Sequence, residues 1–179
     1  MGAAGARRQG SRRKASRSSQ AGCQIGGADG ARGPDLILYL DTSAFIKLYV
    51  EERGSAMVRA AVARSQVCSH WIAYAEMRAA LARLRRMGYQ SDGAYRVQKA
   101  EFERDWKAVN AILPQERMMR RAADLAERYA LRGYDSVHLA AAESLLVVPG
   151  AEFLRFASFD RALNEAARAI GLRLLVDGN

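Results

Sequence analysis

From residue 35 onward, short apolar runs alternate with longer amphipathic stretches, and no other feature of the sequence constrains the fold as strongly. The first run, "DLILYL", is short, continuous and rich in residues that favour strands, as expected for a strand covered on both faces. Strands that alternate with helices along a chain form a parallel sheet with helices on its faces. The sequence therefore predicts an α/β fold with a central, mainly parallel sheet sandwiched by helices.

Periodicity and turn residues place the other elements along the chain. Gly54 is expected to end the first helix, and Ser55 to cap the second. The segment "AILPQE" fits either a short edge strand or a connection. The predicted strands are 35–40, 66–69, 153–157 and 172–176. The predicted helices are 42–52, one that follows its cap at residue 55, 71–86, 92–112, 117–131, 135–146 and 161–170.

Residues 1–34 differ in composition from the rest of the chain. They hold seven Lys or Arg and one Asp, so +6 of the formal net charge of +9 lies in this segment. Gly, Ala, Ser and Arg predominate without apolar periodicity, so the segment cannot offset the entropy of ordering by burial. We expect a disordered basic tail. One interpretation is that it helps to hold RNA electrostatically. The other is a solvated extension, or a start codon assigned too far upstream. Residues 35–179 then form one domain.

Cysteine content and hydropathy indicate a cellular compartment. Cys23 and Cys68 have no CxxC spacing, which argues against a disulfide framework and against a thiolate metal site. No apolar stretch approaches the roughly 18 uninterrupted residues that a membrane span requires. The sequence therefore predicts a cytoplasmic protein without a membrane segment.

Three Asp residues stand where a strand ends or a helix begins. Asp41 follows the first strand, Asp160 follows the strand 153–157, and Asp135 opens a predicted helix. An Asp at a helix start accepts backbone N–H bonds, so each residue taken alone is explained by capping. The crevice of an open parallel sheet also lies beyond the carboxyl ends of its strands, so the same positions suit a shared site.

Glu76 is harder to explain by local structure. It lies inside a predicted helix, and no Lys or Arg occupies position 72, 73, 79 or 80 to form a pair one turn away. If Glu76 converges with the three Asp residues, their like charges repel unless a cation neutralises them. Oxygen ligands without Cys or clustered His favour Mg²⁺ or Mn²⁺ over Zn²⁺. A site of this kind suits the hydrolysis of phosphodiester bonds.

Four segments resemble, in order and spacing, the PIN domain family, and are most similar to its VapC-type toxins from bacterial toxin–antitoxin pairs. They are "YLDTSAFIKLYVEE", "AYAEMRAAL", "RGYDSVHLAAA" and "FASFDRALNEAARAIGLRLL". The resemblance covers about 36–176 and implies a three-layer α/β/α fold. It also implies that Asp41, Glu76, Asp135 and Asp160 form an acidic metal site, and that Ser43 bonds a metal-bound water or a neighbouring carboxylate.

The resemblance further implies an Mg²⁺- or Mn²⁺-dependent endoribonuclease that cleaves single-stranded RNA, forms a homodimer and is blocked by a small cognate antitoxin. Two alternatives stay open: an RNA-processing nuclease of this fold without an antitoxin, and a non-catalytic RNA-binding or regulatory module. An aspartyl-phosphate phosphatase is disfavoured, because it needs a second Asp where Ser43 stands. Ser158 stands where the family often has Thr, a departure that keeps a hydroxyl.

Two histidines and a cysteine receive structural interpretations. His138 follows Asp135 by three residues on the same helix face, where it can assist a metal, but a buried structural histidine is the preferred interpretation. Cys68 lies near His70, yet no orienting partner for a thiol nucleophile is evident. We therefore expect Cys68 to be a buried strand residue.

Aromatic and basic side chains near the acids have two interpretations each. Tyr95, Phe102 and Trp106 recur at spacings of seven and four, which predicts a core or dimer face in preference to base stacking. Cations that flank the acids fit contacts with RNA phosphates or a solvated surface equally well. These cations are Lys47, Arg78 and Arg161.

Overall fold

The computed structural model of the protein describes residues 36–175. The strands are β1 (Leu36–Leu40), β2 (Ser65–His70), β3 (Asn110–Ile112) and β4 (Leu154–Ala157). The helices are α1 (Thr42–Phe45), α2 (Ser55–Val62), α3 (Ile72–Arg86), α4 (Asp92–Trp106), α5 (Glu116–Tyr129), α6 (Gly133–Glu143) and α7 (Arg161–Ala169). Short 3₁₀ turns cover Ile46–Leu48, Ser144–Val147 and Ala151–Phe153.

The four strands form one parallel sheet in the order β3-β2-β1-β4. Tyr39 of β1 pairs with Cys68 of β2, and Leu40 pairs with Ala157 of β4. The chain passes from β1 outward to β2 and β3, then crosses to the other side of β1 to form β4. The strand order therefore reverses at β1, and the crevice of the sheet opens at the carboxyl ends of β1 and β4.

Hydrophobic side chains of the sheet divide between two clusters, one on each face. Leu38 and Leu40 of β1 belong to the cluster that α1, α2, α3 and α4 cover. Tyr39 points the opposite way, into the cluster that α5, α6 and α7 cover. The predicted three-layer α/β/α fold is confirmed.

Two predicted helices end earlier than the sequence indicated. The helix predicted over 42–52 ends at Phe45 and continues only as a 3₁₀ turn to Leu48. The helix predicted over 92–112 ends at Trp106. The following Asn110–Ile112 pairs with the outer edge of β2 as strand β3, because edge pairing satisfies backbone groups that the sheet would otherwise leave open. The ambiguous segment from residue 111 is thus partly an edge strand.

Three other predicted boundaries also move. Ser55 is the first residue of α2, not its cap; its hydroxyl accepts from the Glu52 N–H and donates to the Val50 carbonyl. The helix predicted over 135–146 covers Gly133–Glu143 instead. In place of the predicted strand 172–176, Leu174 forms an isolated bridge to Phe156 of β4, and residue 176 lies outside the described range.

The predicted aromatic core is confirmed at two of its three positions. Phe102 and Trp106 are buried, with ring centroids 5.6 Å apart. Tyr95 is half-buried, and the Arg85 guanidinium lies 4.7 Å from its ring centroid.

The predicted tail, residues 1–34, and both ends of the predicted domain lie outside the described residues, so the tail and its boundary stay predictions. Between residues 36 and 175, no helix is both long enough and apolar enough to cross a membrane.

Candidate active site

Asp41 lies at the carboxyl end of β1, where the strand order reverses. Its backbone N–H donates to the Ala157 carbonyl at 3.1 Å, and its Oδ1 accepts from the Ala44 N–H at 2.8 Å, which caps α1. The Ser43 hydroxyl lies 2.8 and 2.9 Å from the two carboxylate oxygens, and the Ser158 hydroxyl donates to Oδ2 at 2.6 Å. The carboxylate is thus a helix cap and also part of a side-chain network.

Burial raises the pKa of Asp41, while nearby His138 and the hydrogen bonds from Ser158, Ala44 and Ser43 oppose the rise. The carboxyl is therefore a desolvated group that depends on its donors to hold a negative charge. A bound cation would also stabilise the ionised form of the carboxyl.

Ser43 and Ser158 connect the end of β1 to the loop after β4. The Ser43 hydroxyl accepts from the Phe159 N–H at 2.7 Å and lies 3.5 Å from the Ser158 hydroxyl. The Asp160 N–H donates to the Ser158 hydroxyl at 3.0 Å, and Asp160 Oδ1 caps α7 by accepting from the Leu163 N–H at 2.9 Å. Two serines therefore hold Asp41 and Asp160 at the same end of the sheet.

Glu76 reaches this end of the sheet from α3. Its Oε2 accepts from the Thr42 hydroxyl at 2.5 Å and lies 3.0 Å from His138 Nε2. Burial raises the pKa of Glu76, but the hydrogen bonds from His138 and Thr42, together with the nearby imidazoles of His138 and His70, lower the pKa below its usual value. The lowered pKa keeps the Glu76 carboxylate ionised at neutral pH. Its side chain is 23% exposed, so solvent can reach it.

Asp135 lies in the first turn of α6 and does not open that helix as predicted. Gly133 and Tyr134 are already helical, so the N-cap position falls on Arg132. Burial raises the pKa of Asp135, and the negative charges of Asp160 and Glu76 raise it further, against the opposing effect of Arg132. This repulsion places the carboxylates of Asp135, Asp160 and Glu76 in one electrostatic neighbourhood.

The donor set has the chemistry of a hard-cation site. Within residues 36–175, no three Asp, Glu, His or Cys side chains lie close enough in this arrangement to hold one ion together. The candidate ligands are nevertheless oxygen donors alone, and Asp135 is destabilised as an anion by its carboxylate neighbours. These are the properties that Mg²⁺ or Mn²⁺ accommodates, since either ion takes oxygen ligands and neutralises their repulsion.

His138 and Thr42 contact the acids directly, although sequence reasoning left both outside the site. His138 is buried, as expected of a structural histidine, but its Nε2 faces Glu76. Its spacing of three from Asp135 on one helix face was the available signal. Thr42 carried a weaker signal, a second hydroxyl directly beside Asp41.

The flanking cations divide into buried and exposed groups. Lys47 is buried, with its Nζ 2.9 Å from Glu52 Oε2 and 4.1 Å from the Phe159 ring centroid, so it stabilises the loop and does not present a surface charge. Arg78 is paired with Glu103. Arg161 pairs with Glu165 and keeps 92% of its side chain exposed. Arg132 is 86% exposed, with its Nε 4.0 Å from Asp135 Oδ2.

Cys68 is a free, buried cysteine on β2, as predicted. Burial raises the pKa of its thiol to about 11, so the thiol is protonated at neutral pH. This protonation excludes Cys68 as a thiolate nucleophile in the folded protein.

Comparison with known proteins identifies the family. The PIN domain family matches residues 38–169, and the chain belongs to that family. Two relatives from Mycobacterium tuberculosis are Ribonuclease VapC45 of strain CDC 1551 / Oshkosh and Ribonuclease VapC49 of strain ATCC 25618 / H37Rv. Each is 34% identical over 139 residues, a span that covers 77% of this chain and 94% of the relative. The predicted likeness to VapC-type PIN domains is confirmed.

Proposed function

We propose that this protein is an Mg²⁺- or Mn²⁺-dependent endoribonuclease that hydrolyses phosphodiester bonds in single-stranded RNA. The observation that carries the proposal is the set of acids at the carboxyl end of the sheet, linked by serine hydroxyls and by mutual repulsion. The similarity to two proteins named as ribonucleases supports RNA as the substrate. The candidate catalytic and metal-binding residues are Asp41, Glu76, Asp135 and Asp160, with Ser43 as a catalytic hydroxyl.

The four carboxylates would hold the cation, which polarises a phosphoryl group and lowers the pKa of an attacking water when bound. Ser43 and Ser158 orient Asp41 by their hydrogen bonds. In the absence of a cation the acids repel RNA phosphates, so productive RNA binding depends on the loaded site. Arg132 and Arg161 are exposed beside Asp135 and Asp160, where they can contact flanking phosphates.

The test is cleavage of a labelled single-stranded RNA with Mg²⁺ or Mn²⁺ and with a chelator. Asp41→Asn keeps the size and the capping oxygen of the side chain but removes the charge. We expect the cleavage rate to fall by about 100-fold or more, which is more than the loss of a hydrogen bond that supports a metal ligand usually causes. The matched control is Asp105→Asn, another buried Asp, which Tyr49 and Arg104 contact away from the acids. Equal rates for Asp41→Asn and Asp105→Asn at equal folded fraction would reject the assignment.

We also infer that the protein is the toxin of a toxin–antitoxin pair, supported by its VapC-type likeness. A small antitoxin can silence an acidic cleft by inserting Arg or Lys among the carboxylates, where it competes with metal and blocks the phosphate. The test is co-expression with the product of the neighbouring open reading frame, followed by Mn²⁺ titration of the isolated complex. Release of the partner and recovery of cleavage support the inference. A neighbour that does not bind favours an RNA-processing nuclease without an antitoxin.

We propose a homodimer in the cytoplasm, where the free, buried Cys68 suits a reducing environment. Light scattering coupled to gel filtration is expected to give twice the chain mass of 19.7 kDa. A mass of one chain across the concentrations used for cleavage would exclude the dimer as the active form.

A further inference from the structure

A buried hydrogen-bonded chain runs from the centre of the sheet to Glu76. The Tyr39 hydroxyl lies 2.9 Å from Nδ1 of His138, and Nε2 of the same imidazole lies 3.0 Å from Glu76 Oε2. Tyr39 and His138 are both buried, and neither belongs to the proposed catalytic set. Since α6 carries His138 and α3 carries Glu76, the chain joins the two helical layers at the site.

The geometry places a hydrogen on Nε2 of His138. An imidazole nitrogen is either an N–H donor or a bare acceptor. If Nε2 were bare, its lone pair would face the carboxylate oxygen of Glu76 and repel it. Nε2–H therefore donates to Glu76, while Nδ1 of the same ring is hydrogen-bonded to the Tyr39 hydroxyl.

Packing fixes this arrangement. The Tyr39 ring stacks on Phe156 with centroids 5.5 Å apart and an interplanar angle of 17°. The His138 ring meets the Tyr39 ring edge-on at 5.9 Å. Both rings therefore have little freedom to reorient, and the donor that they present to Glu76 is held in place.

The two oxygens of the Glu76 carboxylate differ in their hydrogen bonds. Oε2 accepts from both His138 and Thr42, whereas within residues 36–175 no hydrogen bond is donated to Oε1. Two donors on one oxygen fix the carboxylate plane and leave the other oxygen available to a ligand.

We propose that Tyr39 and His138 are positioning residues: the Tyr39 hydroxyl holds the His138 ring in place, and Nε2–H of that ring orients Glu76 to bind a divalent cation. The proposal rests on the proposed function for the identity of the ligand. The hydrogen on Nε2 does not depend on activity.

Four variants test the proposal. Tyr39→Phe removes the hydroxyl and keeps the stacked ring, and Tyr49→Phe makes the same change at a buried tyrosine that contacts Asp105 away from the acids. His138→Gln keeps an N–H donor for Glu76, whereas His138→Leu does not. Unfolding curves first establish the folded fraction of each variant, so that affinities are compared between folded proteins.

The first readout is the ¹⁵N spectrum of the imidazole nitrogens at pH 8. The chain has two histidines, and the signals that disappear in His138→Gln belong to His138. We expect a protonated Nε2 in the parent. A bare Nε2 in the parent would overturn the proposal.

The second readout is Mn²⁺ affinity measured by calorimetry without RNA. We expect Tyr39→Phe and His138→Leu to bind Mn²⁺ about 10-fold to 100-fold more weakly, the usual effect of losing a group that supports a metal ligand. Tyr49→Phe is expected to match the parent, and His138→Gln to lie closer to the parent than His138→Leu does. If Tyr39→Phe binds Mn²⁺ as tightly as Tyr49→Phe does, the positioning role is wrong. If the parent neither binds Mn²⁺ nor cleaves RNA, the proposed function fails, and the nitrogen spectrum alone decides the assignment of the protons.

Discussion

Gly54→Ala is expected to destabilise the protein through a loop that carries a candidate catalytic acid. Gly54 has φ of +93°, and a Cβ added there would lie 2.6 Å from Cε1 of Phe159. Phe159 lies between Ser158 and Asp160 in the sequence. The Lys47 Nζ is 4.1 Å from the centroid of its ring, and the Phe159 backbone N–H donates to the Ser43 hydroxyl. A methyl group at Gly54 must therefore move a ring that sits within the site.

The loss of stability has two parts, which a smaller effect on the unfolded chain partly offsets. The positive φ costs an L-residue about 1–2 kcal/mol. Displacing a packed ring adds about 1–3 kcal/mol. The reduced entropy of the unfolded chain returns about 0.4–1 kcal/mol. We therefore expect the free energy of unfolding to fall by about 1–5 kcal/mol, a large share of the 5–15 kcal/mol typical of a domain.

Gly88→Ala separates the two parts, because Gly88 has φ of +75° but no neighbouring atom within 4 Å of the added Cβ. Urea unfolding of both variants should show a larger loss for Gly54→Ala, by about 1–3 kcal/mol. RNA cleavage should also slow in folded Gly54→Ala and not in Gly88→Ala. Equal losses of stability, together with equal cleavage rates, would show that the contact with Phe159 carries no energy and that the loop does not position Asp160.

Three further predictions concern other parts of the chain. Ser158→Ala should slow cleavage about 10-fold or more by removing the donor to Asp41 Oδ2, whereas Ser158→Thr should keep most of the rate; equal rates in a cleavage assay would contradict the role of the hydroxyl. Burial raises the pKa of Cys68 from 9.0 to about 11, so the thiol ionises at lower pH in the unfolded chain than in the folded protein. As the pH rises from 9.0 to about 11, the free energy of unfolding should therefore fall by about 2 kcal/mol. Cys68→Ala should flatten that decline in urea unfolding across pH 8–11, and an unchanged slope would contradict the assignment. Removing residues 1–34 should leave the thermal midpoint and the cleavage rate nearly unchanged, because this segment is rich in Gly, Ala, Ser and Arg and lacks the apolar residues needed to join the core; a large drop in midpoint would show that the tail packs on the domain.

The sequence predicted the features that local pattern determines. The alternation of strands and helices gave the layered fold, since each buried strand reads as a short apolar run. The positions of Asp41 and Asp160 followed from the ends of two strands, where chain direction and sheet geometry leave little choice.

Features that depend on distant contacts were not predictable. The sequence left the segment from residue 111 open between an edge strand and a connection, and the unpaired edge of β2 decides for the three-residue strand β3. Lys47 lies buried because its charge contacts Glu52 nearby in the sequence and the ring of Phe159, which is more than a hundred residues away in the sequence. The bond from His138 to Glu76 likewise joins residues 62 positions apart on different layers. Periodicity reports which face of a helix is buried, but not which partner meets it.

The location of Mn²⁺ in a crystal, determined from its anomalous scattering, tests the proposed metal centre most directly. We expect one or more peaks among Asp41, Glu76, Asp135 and Asp160, with carboxylate oxygens within about 2.5 Å of the ion. The same peaks should weaken or disappear in crystals of Asp41→Asn grown at the same Mn²⁺ concentration. A parent crystal whose anomalous peaks lie elsewhere, while the protein cleaves RNA in the same buffer, would contradict the assignment of these four acids to the metal.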